Sequence, residues 1–218
     1  MRWTEGLARI ERDGRRIIEL GRGAPDRIVP QYPTWTLRVL VAHVAGIHAR
    51  TAVICDTLAD VRPAAAVPPE GDPFDWAEAS LEAMLGSLAA ADPEAEVWTL
   101  VSDRRLSFWC RRMLIETGVH CWDAQTALED VQSLPSLVAS NGLDEFRELY
   151  LPRLGDVPTI ELVATDLGRS WRFGGGRPTA CVEGTASDLF LRLMSRPGAV
   201  LPAAWEQAVD ALGSPADR

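Results

Sequence analysis

The stretch Phe108–Ala124, FWCRRMLIETGVHCWDA, combines an uninterrupted helical pattern with two side chains that can bind a metal ion. It lies inside a longer predicted helix, from about Leu106 to Leu128. Glu116 and His120 are four positions apart, so a helix places both on one face, one turn from each other. Two interpretations of this spacing are open. The pair holds a metal ion from a rigid helix, or it is an ordinary hydrogen-bonded pair or part of a solvated face.

A third metal ligand must come from another helix, and His43 is the leading candidate. A predicted helix that begins at Thr34 or Thr36 places His43 between Leu40 and Ile47, on the side of the apolar stripe. An imidazole there needs a partner, because an unpaired buried polar group costs about 1–3 kcal/mol. Two histidines and one glutamate leave an open coordination position, as catalytic zinc sites do. A hydrogen-bonded core histidine is the alternative.

The composition excludes several kinds of chemistry. All 22 basic side chains are arginines, so there is no Schiff-base lysine, P-loop lysine or lysine general base. The net charge of −9 argues against nucleic-acid binding. No apolar run approaches the roughly 20 residues that span a bilayer, no signal peptide is recognisable, and the four cysteines are widely spaced. We therefore expect a cytoplasmic protein with reduced thiols and no membrane partner.

The first two-thirds of the chain predicts a four-helix bundle. Thr4 is the expected cap of a first helix that ends at Gly21–Gly23, and Pro25–Pro33 is expected to be a connector. The helix of His43 follows. The third helix is predicted from about Phe74 to Ala91 and precedes the helix of Glu116 and His120.

The pattern changes after residue 140. Asn141–Gly142 is expected to break the helical pattern before a short helix, and 152–158 resembles a linker. Three strands follow, at 159–165, 171–173 and 179–183, and then a helix with a capping box at Thr185–Asp188 and a last helix starting near Pro202. The predicted fold class is α+β, with a helical bundle over 1–148 and a small α+β domain over 149–218.

Three segments resemble a known family. Pro33–His48, PTWTLRVLVAHVAGIH, resembles the opening motif of the mycothiol-dependent maleylpyruvate isomerase family, which belongs to the DinB-like bundle superfamily. Val97–Thr99 together with Phe108–Ala124 resembles its second and most specific motif. Gly184–Pro197, GTASDLFLRLMSRP, is similar to its carboxy-terminal domain, a small sterol-carrier-like α+β unit. The resemblance covers nearly the whole chain in the right order.

The resemblance implies that His43, Glu116 and His120 bind a divalent metal, most often zinc, and that mycothiol occupies the open position. A thiol bound to a metal is deprotonated, which gives a nucleophile at neutral pH without a lysine or cysteine base. In the isomerase, the thiolate would add to the cis double bond of maleylpyruvate, allow rotation, and leave as fumarylpyruvate forms. The resemblance also implies a catalytic role for Arg196, whose guanidinium can bind a substrate carboxylate. An arginine that complements a helix C-terminus is the alternative.

Neighbouring residues leave further questions open. Asp123 either accepts a hydrogen bond from His120 or is a surface charge. His48 lies about 500° around the helix from His43, so we expect it at the edge of a pocket or on the surface. Cys121 stands where relatives frequently have arginine, and we favour a packing role for it. This departure from the family pattern bears on the identity of the substrate more than on metal binding.

The expected partners are a small electrophilic substrate and a low-molecular-weight thiol. Besides the isomerase, two alternatives use the same bundle. One is a mycothiol S-transferase that acts on an electrophilic metabolite or natural-product intermediate. The other is a non-catalytic metal-binding module.

Overall fold

A computed structural model describes residues 2–212, and the chain forms two compact units, Met1–Gln132 and Ser133–Arg218. The sequence predicts a division at 148/149 instead. The boundary lies earlier because α5 (Ser136–Glu145) packs against α6 (Ala186–Leu193) and so belongs to the second unit. The described residues contain long helices and two small sheets, which confirms the α+β class.

Four long helices build the first unit: α1 (Trp3–Gly23), α2 (Leu37–Thr57), α3 (Pro73–Ala90) and α4 (Ser107–Thr126). α1 packs against α3 and α4, and α2 packs against the same two helices. The buried side chains recur at helical spacing, as Ile10, Ile17 and Leu20 do on α1. The four helices are therefore those that the apolar pattern predicts, with bounds that differ by one or two residues.

The helix starts follow local capping chemistry, with one exception. Thr36 caps α2, since its hydroxyl accepts a hydrogen bond from the Val39 amide at 3.4 Å. Asp72 caps α3 in the same way, and Pro73 occupies the first turn. The predicted cap at Thr4 is wrong. The extended residue before α1 is Arg2, so Thr4 lies within the first turn.

The predicted connector after α1 contains a small hairpin. β1 (Ile28–Val29) pairs antiparallel with β2 (Tyr32–Thr36). Its prolines hide the strand pattern, because a proline normally marks a turn or a strand edge. Arg27 anchors the hairpin to the end of α4 by donating a hydrogen bond to the Ala127 carbonyl at 3.0 Å.

α2 is long and apolar enough to cross a membrane by length and composition, although the sequence pattern predicts no such run. Half of that window is buried inside the protein. The helix also carries His43, His48 and Arg50. We therefore assign α2 as a core helix of the bundle.

The second unit is organised around a three-stranded sheet in the order β4-β3-β5. β3 (Ile160–Ala164) pairs antiparallel with β4 (Arg169–Phe173) and parallel with β5 (Ala180–Gly184). Alternate residues of β3 are buried, which confirms the period-two pattern. α6 begins at the predicted capping box, where the Thr185 hydroxyl accepts from the Asp188 amide at 3.1 Å. The last helix, α7 (Ala203–Ala211), follows Pro202 as predicted.

The predicted break at Asn141–Gly142 is wrong. Both residues lie inside α5, which continues into a π-helical turn at Phe146–Tyr150 and a 3-10 turn at Leu151–Arg153. The glycine has a packing role instead. A Cβ atom at Gly142 would overlap the ring of Phe190, which is itself buried, so only glycine lets α5 approach α6 this closely.

Replacing Gly142 by alanine should therefore lower the free energy of unfolding by about 1–3 kcal/mol, although alanine favours helix formation. Gly86→Ala is the matched control, since Gly86 lies in α3 with open space around it and should be neutral or stabilising by up to about 1 kcal/mol. Denaturant unfolding monitored by circular dichroism measures both. Equal midpoints for Gly142→Ala and the wild-type protein would contradict the packing account.

Candidate metal centre

Three predicted ligands converge in the first unit, His43 from α2 and Glu116 and His120 from α4. The Nε2 atom of His120 lies 3.1 Å from Oε1 of Glu116, and the Nε2 atom of His43 lies 3.7 Å from the same oxygen. One ligand atom from each residue lies within 4.8 Å of the other two. The helical spacing of Glu116 and His120 thus brings both to one point, and the packing of α2 adds His43.

This donor set fits a divalent metal ion. Nitrogen and oxygen ligands lie about 2.0–2.1 Å from zinc, so two ligands of a tetrahedral ion are about 3.3 Å apart. The observed separations of 3.1 and 3.7 Å lie on either side of that value. Two imidazoles and one carboxylate are also ligand types that zinc prefers, and three protein ligands leave one position for an exogenous group.

Solvent reaches the centre on one side. Glu116 and His120 are buried, whereas 26% of the His43 side chain is exposed. The Trp35 ring lies 4.9 Å from that of His43, and the Tyr32 ring lies 6.1 Å from that of His120. The hairpin that holds both aromatic rings therefore forms a wall of the site. The sequence does not predict Tyr32 at the site, because the neighbouring prolines make this segment look like a connector.

Two further side chains orient the ligands. The Nδ1 atom of His120 lies 3.0 Å from Oδ2 of the fully buried Asp123. Of the two interpretations of Asp123, the structure supports the one in which it orients the imidazole and leaves Nε2 for the centre. Arg112 pairs with Oε2 of Glu116, so that Oε1 is left to the two histidines. The sequence reading does not single out Arg112, although it lies four residues before Glu116, the same spacing that pairs Glu116 with His120.

The charges at the centre support a carboxylate ligand. Burial acts to raise the pKa of Glu116, but the Arg112 guanidinium and hydrogen bonds from His120 and His43 hold the pKa well below its usual range. Burial acts to lower the pKa of His120, whereas hydrogen bonds to Asp123 and Glu116 raise it. The carboxylate is therefore ionised. Asp123 and Glu116 favour a proton on His120, and a metal ion that binds His120 would displace it.

His48 is not at a pocket edge or on the surface, so that prediction is wrong. It is 2% exposed, and its Nε2 lies 2.9 Å from the Thr117 hydroxyl. That hydroxyl is the partner of one ring nitrogen, and burial lowers the pKa of His48 to about 4. Cys121 is also buried, and burial raises its pKa to about 12, which agrees with a packing role and not with a reactive thiol.

Arg196 lies in the second unit, directly after α6. It is 3% exposed, and its Nη1 donates a hydrogen bond to the Met194 carbonyl at 2.6 Å. This contact fits the alternative interpretation, in which the arginine complements the C-terminal end of a helix. The catalytic role of Arg196 stays a prediction.

With this geometry established, the chain can be compared with known proteins. The family model described as "Mycothiol maleylpyruvate isomerase N-terminal domain" matches residues 7–125, more than half of the chain. The chain belongs to this family. The match includes His43, Glu116 and His120, and it identifies the protein as an enzyme of the maleylpyruvate isomerase family.

Solved structures agree on the fold. A crystal structure of the mycothiol-dependent maleylpyruvate isomerase has a TM-score of 0.69 at 14% identity, with 93% of this chain and 95% of that chain covered. A histidine-to-alanine mutant of a mycothiol-dependent maleylpyruvate isomerase gives 0.68 at the same identity and coverage. No curated protein sequence matches. At this identity, the isomerase structures are evidence for the shared fold alone.

The environment of His48 predicts a specific pH dependence. Because its pKa is depressed from 6.5 to about 4 in the folded protein, the unfolded chain takes up a proton first. The contribution of neutral His48 to stability should be complete above pH 6.5 and lost as the pH falls towards 4, by about 3 kcal/mol. His48→Gln, measured by denaturant unfolding with chelator present, should lack this part of the pH dependence. Parallel curves for both proteins from pH 8 to 4 would contradict it.

Proposed function

We propose that this enzyme catalyses a metal- and mycothiol-dependent cis-trans isomerisation of an electrophilic small molecule, maleylpyruvate being the expected substrate. One observation carries the proposal. Glu116 Oε1 and the Nε2 atoms of His43 and His120 converge on one point of a partly open site. The name of the family supplies the thiol and the reaction.

In this proposal His43, Glu116 and His120 hold a divalent ion, and zinc is the metal that fits their donor types. When bound, such an ion lowers the pKa of a thiol that coordinates to it and so supplies a thiolate at neutral pH. The thiol needs no lysine or cysteine base. Within the first unit, buried Cys121 offers no competing nucleophile, because its pKa is raised to about 12.

The remaining side chains hold the ligands in place and exclude water. Asp123 fixes the imidazole of His120, and Arg112 fixes the orientation of the Glu116 carboxylate. Trp35 and Tyr32 cover the two histidines, so water approaches along His43. The catalytic role of Arg196, binding a substrate carboxylate, belongs to this proposal. So does the cytoplasmic location without nucleic-acid or membrane partners.

An activity assay with maleylpyruvate and catalytic amounts of mycothiol tests the proposal. We expect fumarylpyruvate to form while the thiol is recycled. Glu116→Gln removes the charged ligand and should lower kcat/KM by at least about a hundredfold, since the loss of an outer partner alone costs about 10–100-fold. Glu82→Gln, an exposed change on α3, should leave the rate unchanged.

Two results would contradict the proposed isomerase activity. In one, the metal-loaded protein shows no mycothiol-dependent turnover. In the other, a stable thiol conjugate accumulates in place of fumarylpyruvate, which indicates the S-transferase. A screen of other electrophiles with mycothiol then identifies the substrate of the transfer reaction.

A further inference from the structure

Arg50 shares a helix face with the metal ligand His43. The two residues are seven positions apart on α2, about two turns, and therefore project from the same side of the helix. Helical side chains lean towards the N-terminus, so the Arg50 side chain leans towards His43. Gly46 and Ile47 lie between them and, like both, are only partly buried. This partly open face of α2 thus runs from the metal centre to a guanidinium.

The charge of Arg50 is not paired with an acid in the described part of the chain. Within residues 2–212 it donates no hydrogen bond and forms no ion pair. The acid that acts on it is Glu116, whose oxygens are already engaged by the two histidines and Arg112. Burial lowers the pKa of Arg50, and the charges of Arg62 and Arg112 lower it further, while Glu116 opposes them. The surroundings therefore disfavour this positive charge.

Arg62 is a second cation, and its charge acts on Arg50. Its guanidinium lies 5.9 Å from the centre of the Trp98 ring, and it forms no ion pair within the described part of the chain. The segment after α2 is held in position, because the Trp98 amide donates to the Ala59 carbonyl at 2.6 Å and Arg104 donates to the Asp60 carbonyl at 3.1 Å. Arg62 is thus presented by an anchored segment.

Arg50 is partly buried, whereas other described arginines without an ion pair, such as Arg12, Arg38 and Arg62, are exposed to solvent. Acidic residues outnumber arginines 31 to 22, and other arginines pair with acids, as Arg9 does with Asp13. An anion that binds Arg50 and Arg62 would offset both their mutual repulsion and the burial of Arg50. The arrangement favours an anionic ligand from outside the chain.

We propose that Arg50 and Arg62 form a site that binds a carboxylate of the electrophilic substrate and so determine specificity. The inference rests on the proposed function and adds two specificity residues to it. A guanidinium binds a carboxylate through two parallel hydrogen bonds, which fixes the orientation of the acid as well as its charge. The Cα atoms of His43 and Arg50 are about 10 Å apart along the helix axis, and the lean of the arginine shortens this to the span of a small acid.

Direct binding of maleate, a small cis-dicarboxylate, tests this site without any turnover. Calorimetric titration of the metal-loaded protein should detect maleate, and Arg50→Met should weaken binding at least about tenfold. Arg62→Met should have a smaller effect because Arg62 is exposed. Arg38→Met is the matched control, since Arg38 is an exposed arginine of α2 on a different face from His43. It should bind maleate as the wild-type protein does.

Three further measurements distinguish carboxylate binding by the arginines from binding to the metal or to the hydrocarbon part of the ligand. Dimethyl maleate, the neutral ester, should not distinguish Arg50→Met from the wild-type protein. The effect of Arg50→Met on maleate should persist after a chelator removes the metal, because the arginines bind the carboxylate themselves. Arg50→Lys, which keeps the charge without the planar fork, should give an intermediate affinity. Unfolding midpoints confirm that each variant is folded.

The inference is overturned if maleate binds wild-type protein and Arg50→Met with affinities within about twofold, or if wild-type protein binds no maleate at about 20 mM. Its failure is distinct from failure of the isomerase. If maleate binding depends on Arg50 but the protein shows no mycothiol-dependent turnover, the carboxylate site is supported and the proposed function is refuted. If the protein turns over maleylpyruvate and Arg50→Met leaves KM unchanged, the proposed function is supported and the carboxylate site is refuted.

Discussion

The buried carboxylate of Glu116 is the group on which the rest of the site depends. An ionised carboxylate without partners would be too costly inside a helical bundle. Arg112 takes one oxygen, and His43 and His120 approach the other. The carboxylate therefore ties α4 to α2 and makes their packing compatible with a charge at the interface. The same arrangement leaves one oxygen and two imidazole nitrogens directed at a common point, which a divalent ion can occupy.

The sequence names the three candidate ligands because the relevant spacings are local. Helical geometry pairs Glu116 with His120, and an apolar stripe that must face the bundle suggests His43. Spacing alone leaves an ordinary hydrogen-bonded pair open, and the resemblance to the isomerase family favours a metal. Long-range packing decides the features that it misses. Gly142 marks a break in any local pattern, yet it lies within a helix because Phe190 packs on it. His48 is buried because Thr117 supplies a partner.

The proposed anion site at Arg50 shows the same limit for the arginines of the chain. All 22 basic residues are equivalent arginines in the sequence, and only the fold separates those that meet acids from those that do not. Arg22 pairs with Asp75 and Glu78, whereas Arg50 forms no ion pair within residues 2–212 and shares a helix face with His43. Without lysine, arginine is the side chain that offers a permanent positive charge to an anion. Tertiary structure selects which arginines are available.

Metal content is the most direct test of the central claim, that His43, Glu116 and His120 form a metal site. Elemental analysis of protein purified without added metal should find about one equivalent of a divalent ion. His43→Ala should lose it, and His48→Gln, five residues further along the same helix, should keep it. Less than about a tenth of an equivalent in the wild-type protein, unchanged in His43→Ala, would contradict the account.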